Sequence, residues 1–286
     1  MKNKLLALLL FTLFVMPAAG QNADEENSAD DGPSAPDLME LIDYNKSNNT
    51  KNGFSAHKQN YFLPVSYSGL NVDDGRIDHE IKFQISFKQR LLKFYGWAGY
   101  FGYTQKSFWQ AYDLENSRPF RENNFNPEFF VRTKMWSGFR ADFGAEHESN
   151  GRDMPKSRSW NRVYAMPYFE NDYIIASIKG WYRIKEKKKV NALDVSGDDN
   201  PDIYKYYGYG EFGFTVKFPE LRKTYLSTVL RYHPKYNKGS AEVNLTIPLS
   251  MSSMNVMVHY WEGYGESLVD YNLRQRKIGV GLNFTR

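Results

Sequence analysis

Apolar and polar residues alternate with a period of two through most of this chain, and that restricts its fold more than any other feature. Ile81, Phe83, Ile85 and Phe87 alternate with Lys82, Gln84, Ser86 and Lys88. Ala241, Val243, Leu245, Ile247 and Leu249 alternate with Glu242, Asn244 and Thr246. Trp97, Gly99, Phe101 and Tyr103 form another apolar row, and Ile278, Val280, Leu282 and Phe284 a fourth. A period of two places each set on one face of a strand. About a dozen such segments have the ~10-residue length that a tilted membrane strand needs. They begin near residues 60, 80, 92, 126, 139, 159, 172, 204, 223, 238, 253 and 276. Turn-rich stretches join several of them, at Asp73-Asp74-Gly75, Asn150-Gly151, Ser196-Gly197-Asp198 and Asn237-Lys238-Gly239.

Strands can cross lipid only as a closed barrel, because every backbone group must be paired. A soluble β-sandwich would bury its apolar rows in a core and would rarely need 21 Tyr, 20 Phe and 6 Trp. In a membrane barrel, alternation keeps the mean hydropathy low (−0.63 here) while aromatic girdles raise Tyr and Phe. The reading is therefore an all-β transmembrane β-barrel domain over 51–286. Ahead of it, Lys2 and Lys4, the apolar run Leu5 to Met16 and Ala18-Ala19-Gly20 read as a signal peptide over 1–20. Residues 21–50 read as a disordered acidic tail, with one short helical turn expected at Leu38 to Tyr44.

The formal net charge of +4 falls to +2 without Lys2 and Lys4, too mild to imply a nucleic-acid partner. The one dense basic run, Lys185 to Lys189, reads as a solvated loop near lipid headgroups. The absence of cysteine excludes disulfides and thiol chemistry.

His147 and Ser149 stand two apart, so on a strand both leave the same face, and the imidazole can approach the hydroxyl without loop rearrangement. A hydroxyl nucleophile needs such a base. Their row continues through Ala145, Phe143, Ala141 and Phe139, whereas Arg140, Asp142, Glu146 and Glu148 occupy the other. In a barrel the apolar row meets lipid, which places His147 and Ser149 on the outer wall at the membrane rim and suggests a lipid substrate. Across the turn at 150–158, Asn161 shares that face and can hold the second nitrogen of His147. A neutral amide suits the position, since a carboxylate facing lipid would cost on the order of a few kcal/mol.

The chain resembles the bacterial outer membrane phospholipase A family from about Ile81 onward. The resemblance is carried by Tyr-Thr-Gln-Lys-Ser at 103–107, Pro-Phe-Arg-Glu at 119–122, His-Glu-Ser-Asn-Gly-Arg at 147–152 and Ser-Arg-Ser-Trp-Asn-Arg at 157–162. Asp-Asp-Asn-Pro-Asp-Ile at 198–203, Gly-Tyr-Gly-Glu-Ser-Leu at 263–268 and Asp270-Tyr271-Asn272 extend it. It implies a twelve-stranded antiparallel barrel and a triad of Ser149, His147 and Asn161 that hydrolyses both acyl positions of phospholipids and lysophospholipids. It also implies a calcium (Ca2+) cofactor and a homodimer. The ligands would be the Arg152 carbonyl, the Ser157 hydroxyl and Ser117 of the facing subunit, with Asp199 at a related calcium position and the Gly151 amide at the oxyanion. Arg118 departs from the family, which has a second Ser there, and its charge could weaken calcium binding. Gln105 continues the lipid-facing row of Trp97 to Tyr103. An unpartnered amide in hydrocarbon is costly, so Gln105 is expected to meet its own copy across a two-fold interface. A passive channel or an adhesin would share the alternation, but neither needs the His147, Ser149 and Asn161 patch.

Overall fold

The structure is a computed structural model and describes residues 53–69, 76–191, 194, 197–221, 224–249 and 254–284. The expected signal peptide, acidic tail, helical turn at Leu38 to Tyr44, turn at Asp73 to Gly75 and Ser196 lie outside them. In chain order come β1 (Phe54–Ala56), β2 (Tyr61–Ser68), β3 (His79–Phe94), β4 (Trp97–Trp109), β5 (Phe120–Arg132), β6 (Phe139–Ser149) and β7 (Ser159–Glu170). They are followed by β8 (Ile174–Ile184), a helical turn α1 (Tyr204–Tyr207), β9 (Gly210–Phe218), β10 (Thr224–His233), β11 (Lys238–Pro248), β12 (Asn255–Gly263) and β13 (Gln275–Asn283).

Each of β2 to β13 pairs antiparallel with its sequence neighbours, and β13 pairs back onto β2, closing a twelve-stranded barrel. The short β1 adds to β3 beyond the end of β2. Pro64, which has no N–H to give a ladder, falls at the register shift between β2 and β3. At one end the turns are tight: Tyr95 and Gly96 both take positive φ, the two-residue geometry that matches strand twist. At the other end lie the longer loops 110–119, 150–158, 185–209 and 264–274, the extracellular end in barrels of this kind. The observed strand starts follow the alternation with three shifts. The strand expected near 92 begins at Trp97 because Leu91 and Leu92 belong to the long β3, and that expected near 126 begins at Phe120. The one expected near 204 begins at Gly210, because α1 occupies Tyr204–Tyr207 and anchors itself through the fully buried Ile203.

The polar rows point inward. Along β5, Glu122, Asn124, Asn126, Glu128 and Arg132 are buried, whereas Phe129 is 61% exposed. Ile85, Phe143, Val163, Ile178, Ile278 and Val280 are likewise exposed, the band that lipid would cover. Tyr95, Trp97, Trp136 and Tyr173 crowd the tight-turn end as an aromatic belt. Inside, charges neutralise one another: Arg132 grips Asp142 through two bonds of 2.8 and 2.7 Å. Glu146 meets Arg162 and Lys179, and Glu80 meets Arg121 and Lys277. From the loop after β12, Glu266 reaches in to Lys82 and Lys277. Its burial alone would raise the carboxyl pKa, but the two ammoniums hold it down at about 2. Towards the long loops Trp160, Trp181, Tyr207, Leu268 and Tyr271 pack in the lumen, and the same cluster includes Tyr164 and, nearer the tight turns, Tyr100 and Phe130. A cavity of about 340 Å³ remains among the ion pairs.

Candidate active site

The β6–β7 ladder sets the chemistry on the outer wall. It pairs His147 with Asn161 and Ser149 with Ser159. Glu146 is buried in the lumen and Phe143 is exposed, so by parity His147, Ser149 and Asn161 share the outward face. His147 Nδ1 lies 2.9 Å from Asn161 Oδ1, the contact expected from the sequence. The Ser149 hydroxyl stands on the same face but makes no hydrogen bond to the imidazole among the described residues. Serine–histidine contacts commonly tighten only around substrate.

The loop 150–158 is held by Asn150, which in the sequence has the look of a plain turn residue. Its side chain is buried. Oδ1 accepts the amides of Arg152 at 3.3 Å and Arg158 at 2.9 Å, and Nδ2 donates to the Lys156 carbonyl at 2.9 Å. Gly151 has φ +60°, a conformation that favours glycine, and a Cβ there would lie 3.3 Å from the Phe125 ring, which would have to give slightly. Its amide sits two residues beyond Ser149.

A second loop brings up Asp199. Asn200 is fully buried and accepts the Ser159 amide at 3.0 Å, and Asp198 takes Arg183 at 2.6 Å. Docked in this way, Asp199 accepts the Ser157 hydroxyl at 2.5 Å, and its other oxygen holds the Lys189 ammonium at 2.5 Å. The basic run is therefore divided in role. Lys185, Lys187 and Lys188 are exposed, Lys189 packs onto Asp199, and Glu186 accepts the Asn161 side-chain amide at 2.9 Å. Glu186 escaped the sequence reading. The signal was there, since it is the only acid in that run and shares the parity of the outward-facing Tyr182 and Ile184.

Ser117 lies exposed in the β4–β5 loop beside Arg118, both at positive φ, and among the described residues it makes no hydrogen bond to Arg152, Ser157 or Asp199. Within its own chain, Gln105 Oε1 accepts the Tyr103 hydroxyl and Nε2 donates to Ser107, each at 3.1 Å, which leaves one N–H and one lone pair of the amide for a further partner. Ser107 passes the chain on to Asn123 at 2.7 Å. A strand places residues two apart side by side on one face, so these contacts form along β4 itself. Gln105, Phe125 and Ser149 occupy one register row across β4, β5 and β6, at the height of the nucleophile.

A family model described as Phospholipase A1 matches residues 38–284. The phospholipase A1 of Salmonella typhimurium is 34% identical over 307 residues, covering 99% of this chain and 98% of its own. That of Escherichia coli is 33% identical over 298 residues and covers 96% of each chain. Among solved structures, the outer membrane phospholipase A of Escherichia coli is similar with a TM-score of 0.70 and 32% identity, over 80% of this chain and 96% of that one. The Salmonella typhi outer membrane phospholipase, described as a dimer with bound calcium, gives 0.72 at 29% identity over 88% and 98%. An Escherichia coli active-site mutant with asparagine replaced by alanine gives 0.70 at 30% identity over 85% and 95%.

Proposed function

Since this chain belongs to the phospholipase A1 family, we propose that it works as a calcium-dependent serine hydrolase, cleaving both acyl esters of phospholipids and those of lysophospholipids as an outer-membrane homodimer. Membership makes it a phospholipid-hydrolysing enzyme of the outer membrane. The observation that carries the mechanism is the 2.9 Å contact of His147 with Asn161 on the outer wall, two residues from Ser149.

Asn161 Oδ1 accepts the Nδ1 proton and so fixes the tautomer that leaves the Nε2 lone pair towards Ser149. His147 takes the hydroxyl proton as Ser149 Oγ forms a bond to the ester carbonyl carbon. The carbonyl oxygen gains negative charge near the Gly151 amide. Collapse breaks the carbon–oxygen bond to the leaving alcohol, which receives the proton from His147. Water repeats the cycle, releases the fatty acid and restores Ser149. A relative's active-site asparagine agrees with the role given to Asn161.

The residues fit calcium. Arg152 carbonyl, Ser157 hydroxyl and Asp199 carboxylate are hard oxygens, and a cation already rests on Asp199 in the form of the Lys189 ammonium. Among the described residues no cluster of three His, Cys, Asp or Glu exists, so neutral oxygens would supply most of the coordination. Bound there, calcium would add positive charge beside the forming oxyanion. Ser117, which makes no hydrogen bond to Ser157 or Asp199 of its own chain, would come from a second copy, docked along the Gln105 row. A passive channel is the weaker reading, because it has no use for the His147–Asn161 contact on the outer wall beside Ser149.

Two assays in detergent micelles test this. Ser149→Ala should lose ester hydrolysis by a factor of at least about 10⁴ while the barrel stays heat-modifiable on gels. EDTA should silence the wild type and calcium restore it without refolding. Retention of more than a few per cent by Ser149→Ala, or full activity in EDTA, overturns the corresponding half.

A further inference from the structure

We propose that Glu186 is a positioning residue, a fourth member of the Ser149–His147–Asn161 relay that dictates which end of the Asn161 amide faces the histidine. The inference rests on the triad assignment above.

A carboxamide has a donor end and an acceptor end of nearly the same shape. Only the acceptor end facing His147 gives a working relay. If the amide turned over, its NH2 would donate to Nδ1 and force the ring proton onto Nε2, where no lone pair would remain for the serine proton. Nothing within the three residues forbids that flip. Glu186 does. An ionised carboxylate only accepts hydrogen bonds, so Oε1 of Glu186, 2.9 Å from Asn161 Nδ2, selects the NH2 end and turns Oδ1 towards His147 Nδ1.

The placement follows from the strands. Asn161 pairs with Ile184 across β7 and β8, and Glu186 lies two residues further along the same outward parity. It thus stands just past the strand end, where headgroup water lowers the cost that a carboxylate would incur in hydrocarbon. Four lysines share its segment, yet among the described residues Glu186 pairs with none of them, and its one hydrogen bond is to the neutral amide. The second consequence is electrostatic. As His147 becomes cationic, the charge of Glu186 is relayed through the polarised amide, so an asparagine triad gains part of the support that an aspartate would give.

A double-mutant cycle separates this role from simple packing. Kinetics are measured on a micellar monoacyl ester at saturating calcium, alongside the rate at which a fluorophosphonate probe labels Ser149. Glu186→Ala should lower kcat and labelling together by about tenfold with KM within about twofold. Glu186→Gln, which can also donate, should lower them by a smaller factor. Asn161→Asp sets two carboxylates against each other and should fall steeply. In that background Glu186→Gln should raise kcat by at least about fivefold, because the glutamine amide can donate to Asp. The same substitution is thus expected to harm one background and rescue the other. An equal effect of Glu186→Gln in both backgrounds, or a change confined to KM, overturns the proposal. Heat-modifiable migration reports the fold, and the near-isosteric glutamine variants decide the matter even where Glu186→Ala fails to assemble. Activity surviving in Ser149→Ala would instead overturn the triad on which the proposal rests.

Discussion

A serine hydroxyl on the outer wall is inert until its neighbours fix a lone pair against it, and here the fixing is shared among residues far apart in sequence. His147 and Asn161 were legible because parity and a hairpin ladder decide their meeting, and both can be read locally. Asn150 was not, since a turn asparagine looks the same whether it caps a loop or faces water. Its three backbone contacts inside the 150–158 loop make it testable. Asn150→Ala would strand buried amides at a cost of about 1–3 kcal/mol, loosening Gly151, Arg152 and Ser157 together. The expected result is a calcium requirement raised by about tenfold with the barrel intact, read from half-activation titrations. Gln105 marks the opposite limit. Tyr103 and Ser107 were visible two residues to either side, but whether their hydroxyls turn towards the amide depends on rotamers that the sequence does not specify.

At the level of strands and loops, the alternation located nearly every element, because one face of each strand had to be apolar for lipid and the other polar for the lumen. The partners inside the lumen stayed hidden. Glu80 with Lys277 and Lys82 with Glu266 join residues whose meeting requires closure of the whole ring. These pairs carry a pH signature. Glu266 is held at about 2, below the ordinary carboxylate value of 4.5. Its stabilising contribution is therefore fully present above pH 4.5 and is lost as pH falls towards 2, and it amounts to on the order of 3 kcal/mol. Urea unfolding in micelles should show wild type exceeding Glu266→Gln by a margin that is largest above pH 5 and shrinks steadily below pH 4. A margin independent of pH would assign the effect to shape rather than charge.

For the molecule as a whole, assembly can be tested at Gln105 itself. Gln105 keeps one N–H and one lone pair beyond its contacts with Tyr103 and Ser107, and Ser117 makes no hydrogen bond to Ser157 or Asp199 within one chain, so both can be completed across a two-fold axis. Gln105→Cys, in a chain with no other cysteine, should crosslink more when calcium and a substrate analogue are added, and activity should rise with the crosslinked fraction. Full activity from protein that stays monomeric would exclude that requirement. The outward face of Ser149 has a further effect. Because the hydroxyl stands on the outer face of β6, substrate arrives sideways along the wall that carries Phe125 and Phe143. Encounter is then a two-dimensional search, and the quantity that governs rate is the mole fraction of phospholipid in the surrounding film rather than its amount per volume of buffer. Adding inert detergent at constant bulk lipid should slow the enzyme in proportion to the dilution of the surface, whereas raising lipid and detergent together at a fixed ratio should leave the rate unchanged once all protein is embedded.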